Sequence, residues 1–193
     1  MHTKQNINVF LIEDDSSQRK SIESLLEFKG FVFQSFTKAS DFLSLSNFSR
    51  PAVLITDMRL PDFSGVELYK TLKDRGEDIP IIFISGESSI QQSIDAMKQG
   101  AIEFLVKPFD INDLIDAIEK AARIELKRVN LKKLLKSLSP REKEVFNLLI
   151  QGLNNAELME KINVSLPTVK QYKSEVMRKL GAKSLSELIN LSN

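Results

Sequence analysis

Over residues 1 to 124, short apolar runs alternate with stretches whose apolar positions recur at helical spacing. Ile7 to Ile12 (I-N-V-F-L-I) reads as a strand, and Ser16 to Phe28 as a helix that Gly30 closes with a left-handed cap. Phe31 to Ser35 gives a second strand and Ala39 to Leu45 a short helix. Ala52 to Thr56 is the third strand, followed by a helix marked by Val66, Leu68 and Leu72. Pro80 introduces a fourth, I-I-F-I-S, and Ile90, Ile94 and Met97 form a helical stripe that ends at Gly100. Ile102 to Val106 is the fifth strand, stopped by Lys107-Pro108, and a long helix starts at Ile111. Strands that each return through a helix predict a parallel sheet covered on both faces, an α/β doubly wound fold.

The helical stripe continues through Ile118, Ile124, Leu126, Val129, Leu131, Leu134 and Leu135, with no glycine or proline before Pro140. Residues 125–137 are therefore expected to form a helical linker leaving the first domain. Beyond it, Ser139-Pro140-Arg141-Glu142 reads as a capping box with proline at the first helical position, and Gly152 ends that helix. Asn154 and Glu157 start a second helix, Ser165 caps a third that stops at Gly181, and Ser184 with Glu187 caps a fourth. Residues 138–193 thus predict an all-α four-helix module with a helix-turn-helix at its centre.

Composition narrows the chemistry. The chain has no cysteine and one histidine, His2, read as a solvated terminal residue. That excludes disulfides, thiolate nucleophiles, serine-histidine-aspartate triads and histidine-rich zinc sites. No apolar run approaches the ~18 residues that span a bilayer, and the start lacks a signal-peptide core, so a cytoplasmic protein is expected. Residues 1 to 124 carry 14 Lys and Arg against 19 Asp and Glu, while residues 125 to 193 carry 13 against 7. The basic second half suits a polyanion such as nucleic acid, although a solvated charged surface would look the same.

In a doubly wound sheet, ligands gather beyond the carboxyl ends of the strands where strand order reverses. Those ends carry Glu13 and Asp14, Asp57, Ser85 and Lys107. Taken singly, an acid after a strand commonly caps the next helix, and a serine or lysine there is a surface polar group. Together, three carboxylates that repel one another need either raised pKa values or a cation, and an all-oxygen acidic cluster suits a hard ion, so Mg²⁺ is the expected cofactor. A cation, a hydroxyl and an ammonium around Asp57 would suit positioning-dominated phosphoryl transfer, with Asp57 as acceptor and an acyl phosphate as product.

The segments I-E-D-D, I-T-D-M-R-L-P-D-F-S-G, I-F-I-S-G and F-L-V-K-P-F, across residues 6 to 124, resemble the receiver domains of two-component response regulators. The resemblance implies a flavodoxin-like fold and phosphorylation of Asp57 by a sensor histidine kinase. It implies Mg²⁺ held by Glu13, Asp14, Asp57 and the Arg59 backbone carbonyl, and a cis proline after Lys107. Ser85 and Phe104 would be the switch pair. Ser85 stands where threonine is frequent, and Phe104 where tyrosine is an alternative. Arg59 and Glu87, each two residues past a site residue, are expected to influence how water reaches the acyl phosphate.

S-L-S-P-R-E-K-E-V, L-I-Q-G-L-N-N-A-E-L and S-L-P-T-V-K-Q-Y, within residues 136 to 193, resemble the LuxR-type DNA-binding domain of the NarL/FixJ class. In the third helix, Val169, Tyr172, Val176 and Leu180 share an apolar face, while Lys170, Gln171, Ser174 and Arg178 lie opposite with Lys173 at the edge. By the resemblance, Thr168 and Lys173 contact the DNA backbone, and Lys170, Gln171 and Ser174 face the major groove. Tyr172 stands where histidine is common and Met159 where alanine is frequent. The expectation is a non-enzymatic transcription factor that binds promoter DNA, dimerises on phosphorylation and has RNA polymerase as a further candidate partner. Two rivals are an Asp-nucleophile, Mg-dependent phosphatase and an interaction regulator that binds no DNA. The phosphatase reading lacks a general-acid carboxylate two residues past Asp57, where Arg59 stands.

Overall fold

The computed structural model describes residues 7–45, 47–86, 97 and 100–192. His2, Glu87 and the stripe positions Ile90 and Ile94 lie outside the described residues. The chain divides into two compact units, Met1–Lys127 and Arg128–Asn193.

In the first unit the strands are β1 (Asn8–Ile12), β2 (Val32–Phe36), β3 (Ala52–Asp57), β4 (Ile81–Ser85) and β5 (Glu103–Val106). The helices are α1 (Ser16–Phe28), α2 (Ala39–Leu43), α3 (Gly65–Asp74) and the first part of α4 (Ile111–Lys136), whose residues from Arg128 on belong to the second unit. The strands pair in parallel in the order β2-β1-β3-β4-β5, so strand order reverses between β1 and β3. All described positions of β3 and β4 are buried, because a covered parallel sheet packs both faces. Alternation sorts the side chains. Val9, Leu11, Val53 and Ile55 join one apolar cluster with Ile22, Leu26 and Leu114, while Phe10, Ile12, Leu54 and Phe83 join a second with Phe42, Leu68 and Leu72. Each such side chain removed from water stabilises the fold by roughly 1.5–3 kcal/mol.

Register places the functional strand ends in a row. Ile12 lies beside Thr56, Asp57 beside Ile84, and Ser85 beside Val106. Glu13, Asp57, Ser85 and Lys107 therefore stand within about one residue of a line across the sheet. Strand β3 runs one residue further than the apolar pattern predicts, making Asp57 its last member.

Local chemistry fixes the flanking turns. Asp15 caps α1 through the Gln18 N–H, and Ser64 with Glu67 forms a capping box on α3. Gly65 is required where α3 starts: a Cβ there would lie 2.9 Å from the Phe83 ring and 3.2 Å from the Asp57 carbonyl oxygen. Helix α2 ends two residues earlier than expected, at Leu43. Its cap is supplied from afar, since Asp62 accepts from the Ala39 and Ser40 N–H groups at 3.2 and 2.8 Å. The loop after Asp57 is thereby pinned to α2. Despite partial desolvation, the Ser40 hydrogen bonds hold the Asp62 carboxyl below its ordinary value.

The second unit contains α5 (Pro140–Ile150), α6 (Asn155–Ile162), α7 (Leu166–Leu180) and α8 (Leu185–Ser192). Val145, Phe146, Leu149, Leu158, Ile162, Val169, Val176 and Leu188 form its core, with Leu134 and Leu135 packed against it. Ser139 and Asn154 make the expected capping boxes with Glu142 and Glu157. Two expected caps differ. Ser165 makes no capping bond, its hydroxyl lying 3.0 Å from that of Thr168. Ser184 caps the Glu187 N–H, but the Glu187 carboxylate returns to the N–H of Lys183. Asn163, with φ 52°, makes the left-handed turn between α6 and α7. No helix among the described residues is long and apolar enough to cross a membrane.

Candidate functional site

At the carboxyl end of the sheet the Lys107 ammonium lies 2.5 Å from Asp57 Oδ2 and 2.7 Å from Glu13 Oε2. Asp57 Oδ1 accepts the main-chain N–H of Arg59 at 2.7 Å, so each Asp57 oxygen faces a donor. The loop that follows the acid thus turns its own backbone onto it. Strand β4 steadies the lysine, whose main-chain N–H donates to the Ser85 carbonyl at 2.7 Å. The Lys107–Pro108 peptide is cis.

Glu13 is 1 % exposed and Asp57 8 % exposed. Burial pushes the Glu13 carboxyl above its ordinary value, against the lowering pull of Lys107. Burial also works against the Lys107 ammonium, but hydrogen bonds to Asp57 and Glu13 prevail and hold its pKa above that of an ordinary lysine. Two acids brought together out of water would otherwise destabilise the fold, and the ammonium offsets that cost.

The expected cage of three carboxylates is not preformed. Among the described residues, no three acids stand close enough together to hold a metal ion by themselves. Lys107 joins Glu13 and Asp57, while Asp14 is exposed to solvent. The donor set still fits Mg²⁺, which takes one or two carboxylates, keeps several waters and accepts only oxygen ligands in such a place. Glu13, Asp14, Asp57 and the Arg59 carbonyl would hold it, and the ion would neutralise anionic oxygens brought to Asp57.

Ser85 is buried at 3 % exposure on the strand beside Asp57. Phe104 sits half-buried on β5, in register with Phe83 and packed against the aromatic side of the core. A cleft of about 590 Å³, lined by Ser17, Ile22, Gly86, Lys107 and Phe109 among others, opens beside the lysine. Sequence reasoning missed Arg19. Its Nη1 donates to the carbonyl oxygens of Glu13 at 2.9 Å and Asp14 at 3.3 Å. Nothing in spacing alone announces that a helix-surface arginine folds back onto the preceding turn.

In the second unit, α7 buries Val169, Val176 and Leu180, with Tyr172 half-buried. Lys170, Gln171, Ser174 and Arg178 are exposed, while Thr168 and Lys173 are half-buried at the edge of that face. Thr168 shares its hydroxyl with Ser165, and Arg178 is paired to Glu175 at 2.7 Å. At the far end of α7, Lys179 binds both oxygens of Glu142, at 2.8 and 2.7 Å. That tie joins the α5 capping box to the last turn of α7.

The family comparisons agree with this division of labour. Residues 9–119 match the response regulator receiver domain, and residues 136–192 match the bacterial regulatory proteins of the luxR family. The chain is 38% identical over 191 residues to Nodulation protein W of Bradyrhizobium diazoefficiens, covering 95% of this chain and 84% of that protein. It is 35% identical over 191 residues to the transcriptional regulatory protein FixJ of Rhizobium meliloti, covering 95% and 94%. The solved structure of the response regulator StyR superposes with a TM-score of 0.61 at 36% identity, covering 97% of this chain and 98% of that one. The chain belongs to the NarL/FixJ class of response regulators, which join a receiver domain to a LuxR-type DNA-binding domain.

Proposed function

We propose that this response regulator acts in the cytoplasm as a transcription factor switched by phosphorylation of Asp57. The observation that carries the reading is the Lys107 ammonium shared by Asp57 and Glu13 at the point where strand order reverses. A phosphohistidine of a sensor histidine kinase donates the phosphoryl group: its P–N bond breaks, an Asp57 oxygen bonds to phosphorus, and the histidine nitrogen leaves. Lys107 keeps its place beside Glu13 and pairs with a phosphoryl oxygen. Mg²⁺, when bound by Glu13, Asp14, Asp57 and the Arg59 carbonyl, supplies charge neutralisation to the same group. The Ser85 hydroxyl moves toward the phosphoryl group and Phe104 turns inward, biasing a two-state receiver.

The receiver spans 1–124 and the linker 125–137, which opens on Glu125, still anchored to the receiver by Arg50. Residues 138–193 form the DNA-binding domain. Phosphorylation favours a homodimer that binds two half-sites of promoter DNA about one helical turn apart. Lys170, Gln171 and Ser174 read the major groove, Thr168, Lys173 and Arg178 contact the backbone, and RNA polymerase is the downstream partner. The chain accepts a phosphoryl group as a signal rather than turning over a substrate.

The test is the oligomeric state and promoter affinity of the full chain with and without beryllofluoride and Mg²⁺, by light scattering and DNA titration. The reading expects a shift to dimer with tighter binding. A monomer of unchanged DNA affinity under both conditions contradicts it.

A further inference from the structure

Glu13 and Asp14 sit in a short turn between the last residue of β1, Ile12, and the cap of α1, Asp15. The paired register ends at Ile12, although the Glu13 N–H still donates to the Phe36 carbonyl of β2 at 3.1 Å. Lys107 and that bond hold Glu13, so beyond them the carbonyl of Glu13 and the direction of Asp14 depend on what holds the turn. Arg19, on the first turn of α1, has its own N–H bonded to the Asp15 carbonyl at 2.9 Å, and its guanidinium reaches back over that turn. One nitrogen, Nη1, donates to two successive carbonyl oxygens, those of Glu13 and Asp14. The arginine is itself braced. Its Nε lies 3.8 Å from Glu23 Oε1 one helical turn on, and that carboxylate accepts the Ser35 hydroxyl of β2. A polar chain thus runs from β2 through Glu23 and Arg19 to the main chain of the acid pair, with the Arg19 side chain only 17% exposed.

We propose that Arg19 is a positioning residue for the cation site: by clamping the two carbonyls it fixes the turn that aims the Glu13 and Asp14 carboxylates. The inference rests on the reading of this site as one that takes Mg²⁺. Two physical effects oppose each other, and they differ in sign. As a nearby positive charge, Arg19 repels a divalent cation, so its removal by charge alone would tighten Mg²⁺ binding. As an outer support of metal ligands, its removal weakens binding, typically by about 10–100-fold. The clamp geometry favours the second effect, because both contacts are to neutral main-chain oxygens and orient ligands without neutralising them.

The experiment is calorimetric titration of the unphosphorylated full chain with magnesium chloride, comparing wild type, Arg19→Ala and Arg19→Lys, with each Tm recorded without magnesium. Arg19→Ala should bind Mg²⁺ about 10-fold or more weakly. Arg19→Lys, which keeps the charge but loses the planar fork, should lie between the two, and it carries the test alone if the alanine variant does not fold. Unchanged or tighter Mg²⁺ binding in the folded variants overturns the inference, as does a lowered Tm with wild-type affinity. A wild-type protein that takes up no Mg²⁺ overturns the cation site and the inference together. The two failures are therefore distinguishable.

Discussion

Glu125, 0% exposed within α4, meets Arg50 side-on: its Oε1 lies 2.5 Å from Arg50 Nε, and its Oε2 accepts from Nη2 at 2.8 Å. The same carboxylate accepts the N–H of Ala52, the first residue of the strand that ends in Asp57. Arg50 also donates to the Asp78 carbonyl at 2.9 Å and packs over the Phe48 ring. A buried pair of this kind is expensive to break and far less so to replace. Arg50→Met should destabilise the receiver by about 3–5 kcal/mol, since it leaves a carboxylate buried without its cation. Adding Glu125→Leu should restore most of that loss. Urea unfolding followed by Tyr69 fluorescence in a Tyr172→Phe background reports on this unit alone; a cost below about 1 kcal/mol for Arg50→Met would show that water replaces the guanidinium.

Lys107 is the only ammonium that the structure places against both Asp57 and Glu13 among the described residues. Lys107→Met leaves the two acids facing each other and should lower the Tm. Mg²⁺ should then stabilise the variant more than wild type at equal concentration, because binding to the folded state alone raises stability by mass action. Differential scanning calorimetry across a magnesium series checks this. An equal or smaller magnesium-dependent rise in the variant would mean that the lysine does not stand in for cationic charge.

The Lys179 hydrogen bond holds the Glu142 carboxyl below its ordinary value, aided by the Ser139 N–H. A depressed folded pKa contributes stability that is fully present above the unfolded value of about 4.3 and is lost as pH falls through the folded value. The helix-turn-helix unit should therefore weaken on that acid limb, and Glu142→Gln should flatten the limb while lowering stability at neutral pH. Chemical unfolding at a series of pH values, read from Tyr172 in a Tyr69→Phe background, provides the check. An acid limb of the same slope in Glu142→Gln would assign the loss to other carboxylates.

Two cations on α7 should behave differently on DNA. Lys170 is exposed near the helix N-terminus, whereas Arg178 is already paired to Glu175. Lys170→Ala should weaken promoter binding by more than Arg178→Ala and should alter discrimination against mutated half-sites. Affinity in all forms should fall steeply with salt as condensed ions are released. A flat salt dependence, or equal effects of both substitutions on specific and nonspecific DNA, would contradict this use of the helix.

What the sequence made legible follows from the range of the interactions. Short-range rules read the strands, the left-handed Gly30 after α1, the α5 capping box and the row of strand-end groups, because apolar period and capping chemistry act within a few residues. The expected juxtaposition of Asp57 and Lys107 followed from topology, since parallel crossovers bring strand ends to one edge. The Glu125–Arg50 pair spans 75 positions and the Asp62 cap of α2 spans 22 or 23, so no local pattern announces either. Ser165 shows the converse failure: a good capping residue in the right place turns its hydroxyl to Thr168 instead. The acids meet repulsion in both of the ways their charge allowed, since burial raises the Glu13 carboxyl and the Lys107 ammonium bridges Glu13 and Asp57.

The central claim is that Asp57 accepts the phosphoryl group. Intact-mass spectrometry of the full chain incubated with acetyl phosphate and Mg²⁺ should show one added phosphoryl group in wild type, lost on treatment with hydroxylamine as an acyl phosphate requires. Asp57→Asn, which keeps the shape and the Arg59 contact but removes the nucleophilic charge, should show none. Persistent single labelling of folded Asp57→Asn would contradict the account.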